Sequence, residues 1–201
     1  MKKTGNAMLK FKLFLVLGSA ILFASCAGNR MYVNDEADFG FYSRVAVVPF
    51  SNLTTDKNAS DKVTSSFVTE LLMLNTVAVA NMGDVEKVVR AVVKQDMVNA
   101  IDELTSEQAM TIGEQAQVEG IFVGAVKDFT MVRSGQDEFP LVAVIVRFID
   151  CQTGRVVWSY ETSRKGGPKF PIFSFGETHT LGAMTTKVCS EVAESFGDVS
   201  R

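Results

Sequence analysis

Leu141-Val-Ala-Val-Ile-Val-Arg-Phe-Ile149, then Asp150-Cys-Gln-Thr-Gly154, then Arg155-Val-Val-Trp-Ser-Tyr-Glu-Thr-Ser163 is the stretch that decides the fold. Leu141–Ile149 is apolar at nearly every position, the pattern of a central strand covered on both faces. Asp150–Gly154 is built of turn residues and reverses the chain. Beyond it Val156, Trp158, Tyr160 and Thr162 fall on one side, and Val157, Ser159 and Glu161 on the other. That alternation is the signature of a half-exposed strand, and the two strands form an antiparallel hairpin. Upstream, Ser134-Gly-Gln-Asp-Glu138 is a second turn and Pro140 is acceptable at a strand start. Val118–Val126 reads as the preceding strand, where Gly120 and Gly124 admit close neighbours.

Working toward the N-terminus, the pattern changes from hairpins to helical crossovers. Thr105-Ser-Glu-Gln108 has the capping-box form and is followed by Ala109, Ile112 and Ala116 at helical spacing. From Gly83-Asp84, the residues Val85, Val88, Val89, Val92 and Val93 make a helical stripe, the period outweighing their β-branching. Thr76–Ala80 is a short strand. From Asp61 a helix carries Val63, Phe67, Leu71 and Leu74 on one face, with Ser60 or Asp61 as N-cap. Arg44-Val-Ala-Val-Val-Pro-Phe50 is a buried strand ending at a proline. At the other end, Leu181, Met184, Val188, Val192 and Phe196 mark a last helix that stops at Gly197. The order β-α-β-α-α-β-β-β-α predicts an α/β domain over residues 44–197. It is a single mixed sheet of about five strands with helices packed on its faces.

The N-terminus carries an address. Lys2, Lys3, Lys10 and Lys12 precede the apolar run Leu13–Phe23, which ends in Ala24-Ser25-Cys26. A positive region, a short apolar core and small residues form a secretory signal, and the run is shorter than the ~20 residues that span a bilayer. Met8 is an alternative start, since Lys10 and Lys12 alone suffice for the positive region. The end of the run resembles the lipobox of bacterial lipoproteins, with Phe23 where leucine is usual. The resemblance implies that residues 1–25 are removed and that Cys26 becomes the acylated first residue, palmitate being a typical chain. Ala27, where an aspartate would retain the protein at the inner membrane, implies sorting to the periplasmic face of the outer membrane. The bland alternative is an ordinary cleaved signal that happens to end at a cysteine. Residues 26–43 read as a polar, irregular tether whose aromatics Tyr32, Phe39, Phe41 and Tyr42 can pack on the domain.

Charge and cysteines narrow the chemistry. Cleavage removes four of 20 basic residues and none of 23 acidic ones, which leaves a net charge near −7. That balance excludes a basic footprint for nucleic acid. It also leaves membrane attachment to acyl chains. Cys151 and Cys189 admit two readings. One is a disulfide closing a loop of about 38 residues, worth up to ~4 kcal/mol; the other is two buried free thiols. His179 is the lone histidine and reads as a surface or capping residue at the last helix. No nucleophile elbow, phosphate loop, metal-binding helix pair or metal-ligand spacing is present. No catalytic residue, cofactor or metal is therefore expected. Phe170-Pro-Ile-Phe-Ser-Phe175 stands out after Lys165-Gly-Gly-Pro-Lys169, with Phe170, Phe173 and Phe175 in a proline-broken run. It either folds its rings over the core or presents an aromatic patch to a partner.

Val45-Ala-Val-Val-Pro-Phe-Ser-Asn-Leu-Thr54, Ala116–Gly124 and Val146–Ser159 resemble the periplasmic core of the CsgG and LpoB type of outer-membrane lipoprotein. That group includes the curli-secretion lipoprotein and activators of penicillin-binding proteins, and its fold is similar to the TolB N-terminal domain. The resemblance implies a non-enzymatic envelope protein that binds an envelope partner or self-associates. Two specific roles fit poorly. A tether of residues 27–43 reaches at most ~60 Å, short for crossing the periplasm to a synthase. The turns at 134–138 and 150–154 are too short for membrane-inserting hairpins, whose strands need ~9–11 residues each.

Overall fold

The hairpin read from Leu141–Ser163 is the centre of a seven-stranded mixed sheet in the computed structural model, which describes residues 29–93, 104–167 and 178–200. Its strands are β1 (Arg30–Val33), β2 (Arg44–Val47), β3 (Ser51–Asn52), β4 (Ala78–Val79), β5 (Gly120–Ser134), β6 (Asp137–Asp150) and β7 (Val156–Lys165). Four helices accompany them: α1 (Ala59–Leu74), α2 (Met82–Val93), α3 (Ser106–Ala116) and α4 (Leu181–Val199). The sheet runs β1-β7-β6-β5-β2-β4, with β3 also on β5. The late strands β5, β6 and β7 are antiparallel, whereas β2, β3 and β4 pair in parallel through helical crossovers. The expected class and order are therefore present, and the sheet is wider than expected by β1 and β3. Both extra strands lie in polar stretches with no apolar alternation to announce them.

Each turn has the residue its backbone demands. Ser134 faces Asp137 across a two-residue hairpin whose first residue, Gly135, has φ +69°. A glycine with positive φ there is the type II′ pattern that matches strand twist. In the second turn the Asp150 carboxylate accepts from the Gln152 and Thr153 N–H groups at 3.2 and 3.0 Å. It also accepts the Thr153 hydroxyl at 2.6 Å.

The two faces of the sheet bury different helices. On one, Val63, Phe67 and Leu71 of α1 and Met184, Val188, Val192 and Phe196 of α4 pack on Val47, Phe122, Val144, Phe148 and Trp158. On the other, Val85, Val89 and Val93 of α2 and Ala109 and Ile112 of α3 pack on Ala46, Val48, Ile121 and Ile149. The predicted stripes of α1, α2 and α4 are the stripes that are buried. The capping box also forms: Thr105 Oγ1 accepts from Gln108 N–H at 3.2 Å, and Gln108 Oε1 from Thr105 N–H at 2.9 Å.

Several details differ from expectation. α1 begins at Ala59 with Asn58 as N-cap, because the Ser60 hydroxyl donates instead to the Phe50 carbonyl. Lys62 and Asn58 both turn toward Asp56. α4 continues past Gly197 to Val199. A β-bulge opposite Phe148 and Ile149 exposes Val156 and buries Val157, reversing the predicted phase at the start of β7. On β6 Val142, Val144, Val146 and Phe148 of the α4 face are buried, while Leu141, Ile145 and Arg147 on the other face are only half-buried, since α2 and α3 reach β6 only near Ile149.

The residues read as tether are also part of this sheet. Arg30 to Val33 pair antiparallel with Glu161 to Trp158, and Asn34 N–H donates to Val157 O at 2.8 Å. Phe39 and Tyr42 are buried, with Phe39 6.2 Å from the Phe196 ring centroid and Tyr42 4.8 Å from that of Phe148.

Candidate functional site

The most connected polar cluster among the described residues sits where the N-terminal strand joins the sheet edge. β7 places Tyr160, Thr162 and Arg164 on the α4 face by its period of two, and α4 brings Glu191 over them. Arg164 binds the Glu191 carboxylate through both ends of its fork, Nε to Oε2 at 2.8 Å and an NH2 nitrogen to Oε1 at 2.7 Å. Tyr160 OH donates to the same Oε1 at 2.8 Å. Asn29 closes the cluster from the N-terminal side, its amide nitrogen lying 2.8 Å from both Tyr160 OH and Glu191 Oε1. Thr162 Oγ1 lies 3.0 Å from Asn29 Oδ1 and 3.1 Å from Glu191 Oε1.

Electrostatics make this a clasp. Burial pushes the Glu191 carboxyl upward, but Arg164 and the hydroxyls of Tyr160 and Thr162 outweigh it and hold the pKa below the usual value. Burial and the neighbouring Glu191 carboxylate raise Tyr160 to about 12. Both groups are fixed in one protonation state at neutral pH and both carboxylate oxygens of Glu191 are engaged, so neither is poised to move a proton. What the cluster can do is fasten Asn29, and with it the start of the described chain, to the domain.

Removing the clasp has a predictable result. The Glu191→Ala variant is expected to lose ~2–3 kcal/mol, since an arginine and a tyrosine only partly open to water lose their charge-assisted partner. Because the folded pKa of Glu191 is depressed, its contribution is present above the unfolded carboxylate value, ~4.3, and disappears as pH falls through the lower folded value. Chemical denaturation of wild type and variant from pH 7 to pH 3 checks this: the difference should be largest at pH 7 and shrink toward acid.

The residues singled out from sequence fall into three groups. Cys26 and Phe170, Phe173 and Phe175 lie outside the described residues. Cys151 and Cys189 are both free and buried, and the sheet separates them: Cys151 packs with α3 and Ile149, Cys189 with α4 and the opposite face. Of the two readings, the structure has the free thiols, and burial raises both to about 12, where they are unreactive. His179 is exposed, immediately before the α4 N-cap Thr180, with its ring centroid 6.1 Å from that of Phe139. Sequence reasoning missed Asn29 and Glu191. The signal available was the alternation Tyr160, Thr162, Arg164, a polar line continuing the face that Trp158 buries.

The same architecture occurs in solved structures. The chain is similar to PelC from Paraburkholderia phytofirmans, a dodecamer, with TM-score 0.57 and 20% identity over 84% of this chain and 98% of that one. It is similar to lipoprotein GNA1162 from Neisseria meningitidis, with TM-score 0.53 and 16% identity over 76% of this chain and 99% of that one. The LpoB C-terminal domain from Salmonella enterica is a more distant likeness, with TM-score 0.46 and 13% identity over 65% of this chain and 87% of that one. At these identities PelC and GNA1162 share the fold with this chain, and the likeness stops there. No protein-family model matches the chain, and no curated protein matches its sequence.

Proposed function

We propose that this chain is an outer-membrane lipoprotein, acylated at Cys26 and facing the periplasm, that serves as a non-enzymatic binding or assembly component of an envelope or secretion complex. The observation that carries the reading is the clasp on Asn29, followed at once by β1 on the sheet edge. Asn29 lies three positions after Cys26, a reach of ~10 Å at full extension. Such a domain works against the membrane that holds it. The role of a periplasm-spanning activator of a penicillin-binding protein, of the LpoB type, is correspondingly disfavoured. The subunit role, in a ring that does not insert hairpins into the membrane as a CsgG-like export channel would, is favoured, and the similar PelC fold forms a dodecamer. The chain leaves β7 at Lys165, four residues beyond the Arg30–Glu161 pair, and the Phe170–Phe175 run follows it in sequence. Its three phenylalanines are the proposed partner-facing surface.

Separation of membranes from cells producing wild type and Cys26→Ser tests the reading. Wild type should fractionate with outer membrane and, after detergent extraction, elute far above the 21.9 kDa of one chain. The variant should be lost from that fraction. Retention of Cys26→Ser in outer membrane overturns the anchor, and a wild-type monomer that brings no second protein with it overturns the assembly role.

A further inference from the structure

β5 outruns its partners on one side. β2 pairs with Gly120 to Phe122 and β3 with Ala125 and Val126, where the Leu53 N–H donates to the Val126 carbonyl at 3.0 Å. A β-bulge at Lys127 follows, and from Asp128 to Ser134 the strand pairs with β6 alone. No described strand lies along its other edge there.

The pairing determines which backbone groups face that edge. Met131 stands opposite Pro140, which has no N–H and whose carbonyl accepts from the Gly166 N–H at 2.7 Å on the β7 side. Neither backbone group of Met131 is therefore bonded to β6. Ser134 and Asp137 close the two-residue loop as a bonded pair, and bonded and unbonded pairs alternate along an antiparallel ladder. Phe129, Met131 and Arg133 thus turn three N–H and three C=O groups outward. Among the described residues their only partner at this edge is the Thr130 hydroxyl, a long 3.4 Å from the Met131 carbonyl. Side chains are open here as well: Met131 is 38% exposed, and Leu53, at the end of β3, is 63% exposed. Natural sheets blunt such an edge with a proline or a bulge, and beyond Lys127 this one has neither.

Self-complementarity names the occupant. A two-fold axis through Met131 lays a second copy antiparallel, with Met131 opposite Met131 and Phe129 opposite Arg133. All six outward groups then pair. Moving the axis to Thr130 or Val132 instead sets an outward residue against the bulge at Lys127 or the turn at Gly135. With the axis at Met131 no like charges meet, since Asp128 falls opposite Ser134 and Thr130 opposite Val132. Lipid is a poor alternative, because Arg133, Asp137 and Glu138 at the hairpin tip are costly in hydrocarbon. We propose that this chain self-associates through the open edge of β5, two copies joining their β5–β6 hairpins into one continuous sheet. A two-fold contact closes on a pair, so it is separate from any interface that builds a ring. It also stands independently of the anchor.

Disulfide crosslinking of the purified full chain in detergent is the first test. Met131→Cys should give a covalent pair about fivefold above Leu72→Cys, because paired Met131 positions bring their Cα atoms to ~5.5 Å, within reach of a bridge. Leu72 is the control, 56% exposed on α1. Wild type sets the background, with Cys151 and Cys189 buried. Thr130→Cys mixed with Val132→Cys should bridge more than either alone, which reads the register. Photocrosslinking from benzoylphenylalanine at position 131 in producing cells should give the mass of two copies. The proposal is overturned if Met131→Cys crosslinks no more than Leu72→Cys, or if the mixed chains bridge no better than the separate ones. A photoproduct formed only with a different protein equally overturns it, and makes the edge a docking strand for a foreign peptide.

Discussion

Phe196→Ala should lower the urea midpoint sharply with an unchanged slope, a loss of ~3–5 kcal/mol. That is a large share of the ~5–15 kcal/mol typical of a domain. Phe196 is fully buried on α4, and its ring is the point where four others meet. Phe122 and Phe148 lie 4.8 Å away between centroids, Trp158 5.5 Å and Phe39 6.2 Å. Such pairs in edge or tilted contact add to simple burial. The four neighbours come from β5, β6, β7 and the short 3-10 turn Phe39–Phe41, so no single element can move to close the cavity. A second readout follows. Phe39 keeps only Tyr42 as a ring neighbour in the variant, so amide exchange in residues 39–42 should accelerate more than in β5 or β6. A loss below ~1 kcal/mol would mean that the cavity collapses and that the aromatic cluster is not the keystone of this face.

The sequence was most legible where period and turn chemistry agree. Val85, Val89 and Val93 are β-branched and disfavour helix, yet their spacing alone identifies α2, since burial on one face outweighs a few tenths of a kcal/mol per residue. The capping box at Thr105 was readable because both partners are polar side chains at a fixed offset of three positions. β1 was not readable. Arg30-Met-Tyr-Val33 has Met31 and Tyr32 more than half exposed, so nothing in its pattern separates it from a loop. Its pairing is dictated by β7, whose edge would otherwise be open, and by a clasp contributed from residues 131 to 162 positions away. Long-range partners of that kind leave no local trace in one sequence.

The candidate sites show the same division. Glu191 sits on α4 two places after Cys189 and one before Val192, and as sequence it is only a polar residue beside a buried stripe. Its importance appears when β7 brings Tyr160, Thr162 and Arg164 beneath it. Ser51 is similar: a serine in a polar loop is ordinary until β3 buries it and leaves its hydroxyl unpaired among the described residues. The disulfide question also needed the third dimension. Cys151 and Cys189 are compatible with a bridge in every one-dimensional respect, and only the intervening sheet separates them.

Gly120→Ala is expected to be as damaging as Phe196→Ala while adding one methyl group. A Cβ at Gly120 would stand 2.0 Å from the Phe148 ring, closer than atoms can approach. Two escapes are conceivable, and both are blocked. Phe148 cannot swing away, since Tyr42, Phe122 and Phe196 box its ring at 4.8, 4.6 and 4.8 Å. The β5 backbone cannot shift either, because Gly120 is paired with Val45 of β2 on one side and Asp150 of β6 on the other. Overpacking without relief costs ~1–3 kcal/mol and at times more, and the boxed ring places this site at the upper end. The control is Gly182→Ala on α4, where nothing lies within 4 Å of the added carbon. There the same substitution should be neutral or stabilise by up to ~1 kcal/mol through helix propensity. Measured by thermal unfolding, a fall at Gly120 with none at Gly182 assigns the loss to the collision with Phe148. Equal small effects at both would show that the sheet accepts a side chain there, and that the close approach of β5 to the aromatic cluster does not set this core.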